Sequence, residues 1–289
     1  VILSEDAHEE QKIELDILCG LTSSGTTGDP KLIYISAESL ATNLESLVQL
    51  SMASGGDRVV DRIIQLAPFT FDPSLFELLV PVITGTTLVM PILELRRDLK
   101  THLKDFIGNC ALLQMTPSLI RFIGRDAFKE VITSISVLMV GGEAFLTQQE
   151  AKDFFGDSTL KVLCLYGITE VSIWATFLLL DVKAWIEHSG TSIVPLGSTM
   201  NETHLKLVSR KEVELVLEEL PIPAHPFYAE EEPKILPYPT EFENLECRLW
   251  IGSATRRCFL PPEQKPSFWR DTGDLVRLSR GYLYHIGRV

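Results

Sequence analysis

Thr22-Ser23-Ser24-Gly25-Thr26-Thr27-Gly28-Asp29-Pro30-Lys31 is the stretch on which the reading of this chain turns. An apolar run over 13–21 precedes it and reads as a strand. Over 36–51, Leu40, Leu44, Leu47 and Leu50 recur at helical spacing. Between strand and helix lie two glycines, five hydroxyl side chains and one lysine. Glycines let successive backbone N–H groups turn toward one point, and such a concavity binds anions. The hydroxyls add donors and Lys31 a mobile positive charge, so the stretch is expected to hold phosphate. It is not a Walker loop: counting from Gly20 to Gly25, Thr26 stands where that motif requires lysine. A solvated Ser/Thr/Gly turn is the plainer reading of these residues.

The 289-residue chain is of globular composition, 45% apolar and 22% charged. A formal net charge of −13 argues against a nucleic-acid or membrane-surface partner, either of which needs a basic stripe. The five cysteines, at 19, 110, 164, 247 and 258, are widely spaced and form no zinc pattern. Buried free thiols are expected, and with an acidic rather than basic-then-apolar opening the expected location is cytoplasmic. The hydrophobic stretches 75–95 and 162–182 are broken by Pro81, Gly85, Pro91, Gly167 and Glu170, which favours buried elements over membrane spans.

Strand-like runs (62–67, 86–90, 111–115, 136–140, 161–165, 172–180) alternate with helix-like ones (36–51, 73–83, 97–108, 117–123, 147–155). That is the pattern of an α/β fold with a parallel-rich sheet and flanking helices. Beyond about residue 186 the runs are short and strand-like (204–208, 248–251, 281–286). The expected division is an α/β core over 1–186 and a smaller β-rich subdomain over 187–289. Residues 211–246 hold ten acidic residues and six prolines and are expected as a solvated insertion.

Further motifs fall at predicted strand ends. Phe71-Asp72-Pro73-Ser74 reads as a helix start, Asp capping and Pro at the first position, or as a carboxylate offered to a substrate ammonium. Gly141-Gly142-Glu143-Ala144 reads as a tight turn or as bare backbone against a flat base. Tyr166-Gly167-Ile168-Thr169-Glu170 brings an aromatic ring, a hydroxyl and a hard oxygen ligand. Thr272-Gly273-Asp274 is a common turn, or a two-oxygen acceptor for a pair of hydroxyls, and Gly287-Arg288 follows.

In order and approximate spacing these motifs resemble the core motifs of the adenylate-forming superfamily: acyl-CoA synthetases, luciferases and peptide-synthetase adenylation domains. The resemblance implies an AMP-forming ligase that uses ATP and Mg²⁺ to activate a carboxylate. A phosphopantetheine thiol on a carrier domain then captures the acyl group. It implies ATP binding by Ser23, Ser24, Gly25, Thr26, Thr27, Gly28, Lys31, Gly141, Gly142, Glu143, Tyr166, Gly167, Thr169, Asp274 and Arg288. Lys31, Thr169 and Glu170 would be catalytic, Glu170 also the metal ligand. Asp72, Phe76, Leu165, Ile173 and Trp174 would line the substrate pocket, suiting a short amino acid of the β-alanine kind. Family members also carry a preceding α/β subdomain, a lid with a reactive-site lysine and sometimes a carrier domain. The 289 residues contain none of these, so slow or absent turnover by this stretch alone is expected. An inactive nucleotide-binding remnant and a fatty-acyl-CoA synthetase stay open as alternatives.

Overall fold

A computed structural model of the chain describes residues 16–24, 30–54, 60–107, 111–188, 192–217, 239, 242–263 and 265–289. The opening stretch departs from the strand–loop–helix expectation. Strand β1 (Ile17–Ser24) is followed by a second strand, β2 (Pro30–Ser36), and the two form an antiparallel hairpin in which Ser24 faces Pro30 and Ser23 faces Lys31. The reason is local: Ile33 and Ile35 alternate along β2 and are both fully buried, a period-2 pattern within an apolar run too short to read by periodicity. Helix α1 (Ala37–Ser54) then starts behind Ser36, whose hydroxyl accepts from the Ser39 N–H (3.2 Å). Leu40, Leu44 and Leu47 form its buried stripe, as expected.

The α/β alternation holds. Strands β3 (Arg62–Ile64), β4 (Thr87–Val89), β5 (Ala111–Met115), β6 (Ile135–Gly141) and β7 (Lys161–Tyr166) pair in parallel. Strands β8 (Thr176–Asp181) and β9 (Ser198–Thr199) add antiparallel to one edge, giving the order β4-β3-β5-β6-β7-β8-β9. The strand expected from 172 begins only at 176, because the preceding residues form a strained turn. Helices α2 (Pro73–Thr84), α5 (Pro117–Ile123) and α7 (Gln148–Phe155) lie where periodicity places them. The helix expected over 97–108 is two: α3 (Leu93–Arg97) and α4 (Leu99–Ile107), broken at Asp98. Helices α6 (Arg125–Val131) and α8 (Val182–His188) were not anticipated; Phe128 and Trp185 bury them against the sheet.

Both faces of the sheet are covered. On β6, Leu138 and Val140 join the core under α4 to α8, while Val137 and Met139 join the one under the hairpin, α1 and α2. A separate antiparallel sheet follows, β11-β10-β12-β13-β14, from β10 (His204–Ser209), β11 (Glu214–Leu217), β12 (Glu246–Gly252), β13 (Trp269–Ser279) and β14 (Tyr282–Arg288). The 211–246 stretch is therefore not loop throughout. Leu217 of β11 and Phe242 are buried in this second core, which repays their ordering despite the acidic neighbours. Residues 218–238, 240 and 241 lie outside the described residues. The Thr272-Gly273-Asp274 turn is a bulge inside β13: Arg248 pairs with Leu275 and Trp250 with Asp271, leaving three residues displaced, with Gly273 at φ 70°. Among the described residues no helix is long and apolar enough to cross a membrane.

Candidate active site

The carboxyl ends of β5, β6 and β7, the segments after β3 and β7, and the bulge of β13 all open on one cleft of about 1670 Å³. Ser23, Lys31, Asp72, Gly141, Gly142, Glu143, Leu165, Tyr166, Gly167, Thr169, Glu170, Ile173, Trp174, Asp274 and Arg288 line it. Of the remaining sequence-predicted residues, Gly25, Thr26, Thr27 and Gly28 lie outside the described residues, and Ser24 is described only as the last residue of β1. Phe76 does not reach the cleft: it is fully buried in the core between the hairpin and the sheet.

Asp72 precedes α2, yet its side chain makes no capping bond. The first turn is closed instead by Ser74, whose hydroxyl donates to the Phe71 carbonyl (2.7 Å). The freed carboxylate meets the Thr169 side chain and the Ile173 backbone N–H. Burial pushes it up to about 7, with the nearby charge of Glu170 adding to the shift against those hydrogen bonds. One turn along α2, Glu77 accepts from the N–H groups of Leu66 (3.0 Å) and Ala67 (2.9 Å) and so shapes the segment leading to Asp72. Burial carries its carboxyl up to about 8, outweighing these bonds and the charge of Arg96.

Both groups hold a proton more tightly folded than unfolded. The stability this contributes is complete below the ordinary carboxyl range and is lost as pH rises through about 7 and 8. The unfolding midpoint in urea should therefore fall between pH 5 and pH 9, each group contributing a slope of at most about 1.4 kcal/mol per pH unit. Glu77→Gln should flatten that fall; an equally steep one would mean that Glu77 is ionised throughout.

Trp174 lines the same cleft as Asp72. Its indole N–H donates to Gln114 Oε1 (3.1 Å), and Gln114 Nε2 donates to the Pro73 carbonyl (2.9 Å). Gly141 is required here: a Cβ at that position would stand 2.6 Å from Trp174 Cη2 and 2.7 Å from the Leu165 carbonyl. Sequence reasoning did not single out Gln114; the available signal is one amide within the apolar run of β5. The turn after Tyr166 is strained. Ser172 (φ 57°) and Ile173 (φ 53°) are consecutive left-handed residues, and such backbone costs of order 1–3 kcal/mol per residue. Gly167 completes it, since a Cβ there would collide with the Ile173 carbonyl.

At the other end, Tyr166 donates to Asp274 Oδ2 (2.7 Å), while Arg288 Nε (2.9 Å) and His285 Nε2 (3.5 Å) approach Oδ1. Burial would raise the Asp274 carboxyl, but the His285 and Tyr166 hydrogen bonds and the Arg288 charge outweigh it and hold it low. Burial, then the Asp274 charge, pushes the Tyr166 phenol well up. His285, like Gln114, escaped sequence reasoning. Glu143 is held by Ser118, whose hydroxyl donates at 2.6 Å and whose N–H at 3.2 Å.

No group of three or more His, Cys, Asp or Glu fit for a metal occurs among the described residues. Glu170 supplies one hard oxygen donor in the cleft. That fits magnesium, which binds through one or two carboxylates together with substrate phosphates.

A family profile described as "AMP-binding enzyme" matches residues 4–219. The beta-alanine-activating enzyme of Drosophila melanogaster is 29% identical over 98% of this chain, which spans 26% of that protein. The L-allo-isoleucine:holo-[CmaA peptidyl-carrier protein] ligase of Pseudomonas savastanoi pv. glycinea is 26% identical, covering 68% of this chain and 32% of its own length. Among solved structures, the Vibrio cholerae adenylation domain AlmE in complex with glycyl-adenosine-5'-phosphate superposes with a TM-score of 0.69 at 20% identity, over 93% of this chain and 47% of AlmE. The chain thus spans about a quarter to a third of the length of these two relatives. With a family match that covers residues 4–219, including the β1–β2 hairpin and reaching β11 of the second sheet, this chain belongs to the family of AMP-binding enzymes.

Proposed function

We propose that this chain carries the nucleotide and acid sites of an ATP-dependent ligase that activates a small amino acid of the β-alanine kind. The observation that carries the reading is Asp72, a carboxylate released from helix capping and turned toward Thr169 and Glu170 in the cleft that also holds Asp274. A substrate carboxylate oxygen attacks the α-phosphorus of ATP, the bond to the β-phosphate oxygen breaks, and pyrophosphate leaves. The acyl group of the adenylate then passes to a phosphopantetheine thiol, and AMP leaves with the electron pair of the acyl–oxygen bond.

Asp72 holds the substrate ammonium, and Leu165, Ile173 and Trp174 wall its chain, with Phe76 packed behind them. Thr26, Thr27 and Lys31, with Ser23, Ser24, Gly25 and Gly28, grip the departing phosphates. Thr169 donates to the α-phosphate, and Glu170 would hold the magnesium, which when bound would supply positive charge to the phosphoryl oxygens. Gly141, Gly142 and Glu143 border the adenine with Tyr166 and Gly167; Asp274 accepts from the ribose hydroxyls and Arg288 lies beside it. Three supports favour a small acid: the Trp174 ring fixed by Gln114, the β-alanine-activating relatives, and the glycyl-adenylate held by AlmE.

The test is pyrophosphate exchange into ATP by the full-length protein, against short amino acids and fatty acids. Stimulation by β-alanine or another short amino acid is expected. Exchange driven by fatty acids would overturn the substrate, and no exchange with any acid would overturn the activity.

A further inference from the structure

Arg256 is fully buried and is not among the residues that line the cleft. Its guanidinium spans the strained turn from behind. Nη2 donates to the carbonyls of Val171 (3.0 Å), Ser172 (2.9 Å) and Trp174, and Nη1 to the Thr203 hydroxyl. The carbonyls it holds thus lie on both sides of Ile173. Two residues on, Cys258 continues the row: its N–H donates to the Glu170 carbonyl (3.3 Å) and its thiol to that of Thr169 (3.3 Å). Asn43 supplies a second donor to the Trp174 carbonyl (2.8 Å). Backbone carbonyls of five of the six residues 169–174 are therefore held from outside the turn, three of them by one side chain.

These partners of the guanidinium are neutral. Burial lowers Arg256 to about 10, which still leaves it cationic at neutral pH and a stronger donor than any neutral group. Left-handed backbone at a β-branched residue persists only where the surroundings over-determine it. A rigid fork matched to several acceptors at once is a group that can do so, whereas an ammonium is a point charge on a flexible stem.

We infer that Arg256 is a positioning residue for the acid pocket: by holding the 171–174 turn it sets where Ile173 and Trp174 stand against the substrate. This rests on the reading of Asp72, Ile173 and Trp174 as the acid pocket. It assigns to the second sheet's connecting segment, through one arginine, a part in choosing the acid and none in holding ATP.

The test uses the full-length protein with Arg256→Met, Arg256→Lys and the double variant Arg256→Met with Ser172→Gly. In Arg256→Met the amino-acid KM should rise by about 10- to 100-fold, the range expected of reacting groups displaced by about 1 Å. The ATP KM should stay within about threefold, and larger amino acids should gain on short ones. Arg256→Lys should fall between. Ser172→Gly, which removes one left-handed penalty, should recover part of the loss in the double variant. Hydrogen exchange of peptides spanning 169–175 gives a readout independent of activity: protection there should drop in Arg256→Met while the β5 and β6 peptides keep theirs. Parallel rises in both KM values, no recovery by Ser172→Gly, or unchanged exchange over 169–175 would each overturn the assignment. A wild-type protein that activates no amino acid refutes the proposed function instead, and the exchange experiment still decides whether Arg256 holds the turn.

Discussion

Asp72→Ala is expected to lower amino-acid-driven pyrophosphate exchange by at least about thirtyfold, while ATP binding stays within about threefold. The physical reason is that a buried substrate ammonium loses its only proposed counter-charge. Truncating one partner of a buried, hydrogen-bonded charge pair costs about 2–5 kcal/mol, or roughly thirtyfold to several-thousandfold in kcat/KM. The same carboxyl sets a pH dependence. With its proton held up to about 7, it is largely neutral in mildly acidic solution and cannot pair with a cation there. Log kcat/KM for the amino acid, which reports free-enzyme ionisations, should climb with pH up to about 7 and then level off. Asp72→Asn should flatten that limb as well as lower it. Wild-type exchange rates in Asp72→Ala would remove the ammonium from the account altogether.

Glu170→Gln is the second large effect. The amide keeps the size of the side chain but withdraws the anionic oxygens that the proposed function assigns to magnesium. Loss of one principal electrostatic element typically costs on the order of a hundred- to a thousandfold in kcat. A second consequence follows from the arrangement of the two carboxylates. Glu170 raises Asp72 through its charge, so its neutralisation should draw the Asp72 limb of the pH profile toward lower pH. Exchange measured across pH 5.5–8.5 at saturating magnesium reads both. A kcat within threefold of wild type, or an unmoved limb, counts against metal binding by Glu170 or against its coupling to Asp72, respectively.

Much of the cleft was legible because its parts are local. Gly141-Gly142, Tyr166-Gly167 and the Asp72-Pro73 junction end or begin elements, and such positions are dictated by short-range backbone chemistry. The leucine stripe of α1 was legible for the same reason. Strand β2 was not, since a short apolar run between turn residues suits a strand or the first turn of a helix equally well. The Thr272-Gly273-Asp274 bulge looked like a free turn, because only pairing with β12 and β14 makes it an interruption within a strand.

Residue order alone determined that an α/β sheet would present its strand ends as turns rich in glycine, hydroxyls and carboxylates, since helical and strand periodicities and turn propensities act within a few residues. Only the tertiary structure decided which of those groups are free to do chemistry. Asp72 is released from its helix, Trp174 is locked by Gln114 from 60 residues away, Asp274 is engaged by Tyr166 across 108, and the turn at Ile173 is held by Arg256 across more than 80. Such pairings depend on how buried polar groups find partners once the chain is packed, and no local pattern encodes them.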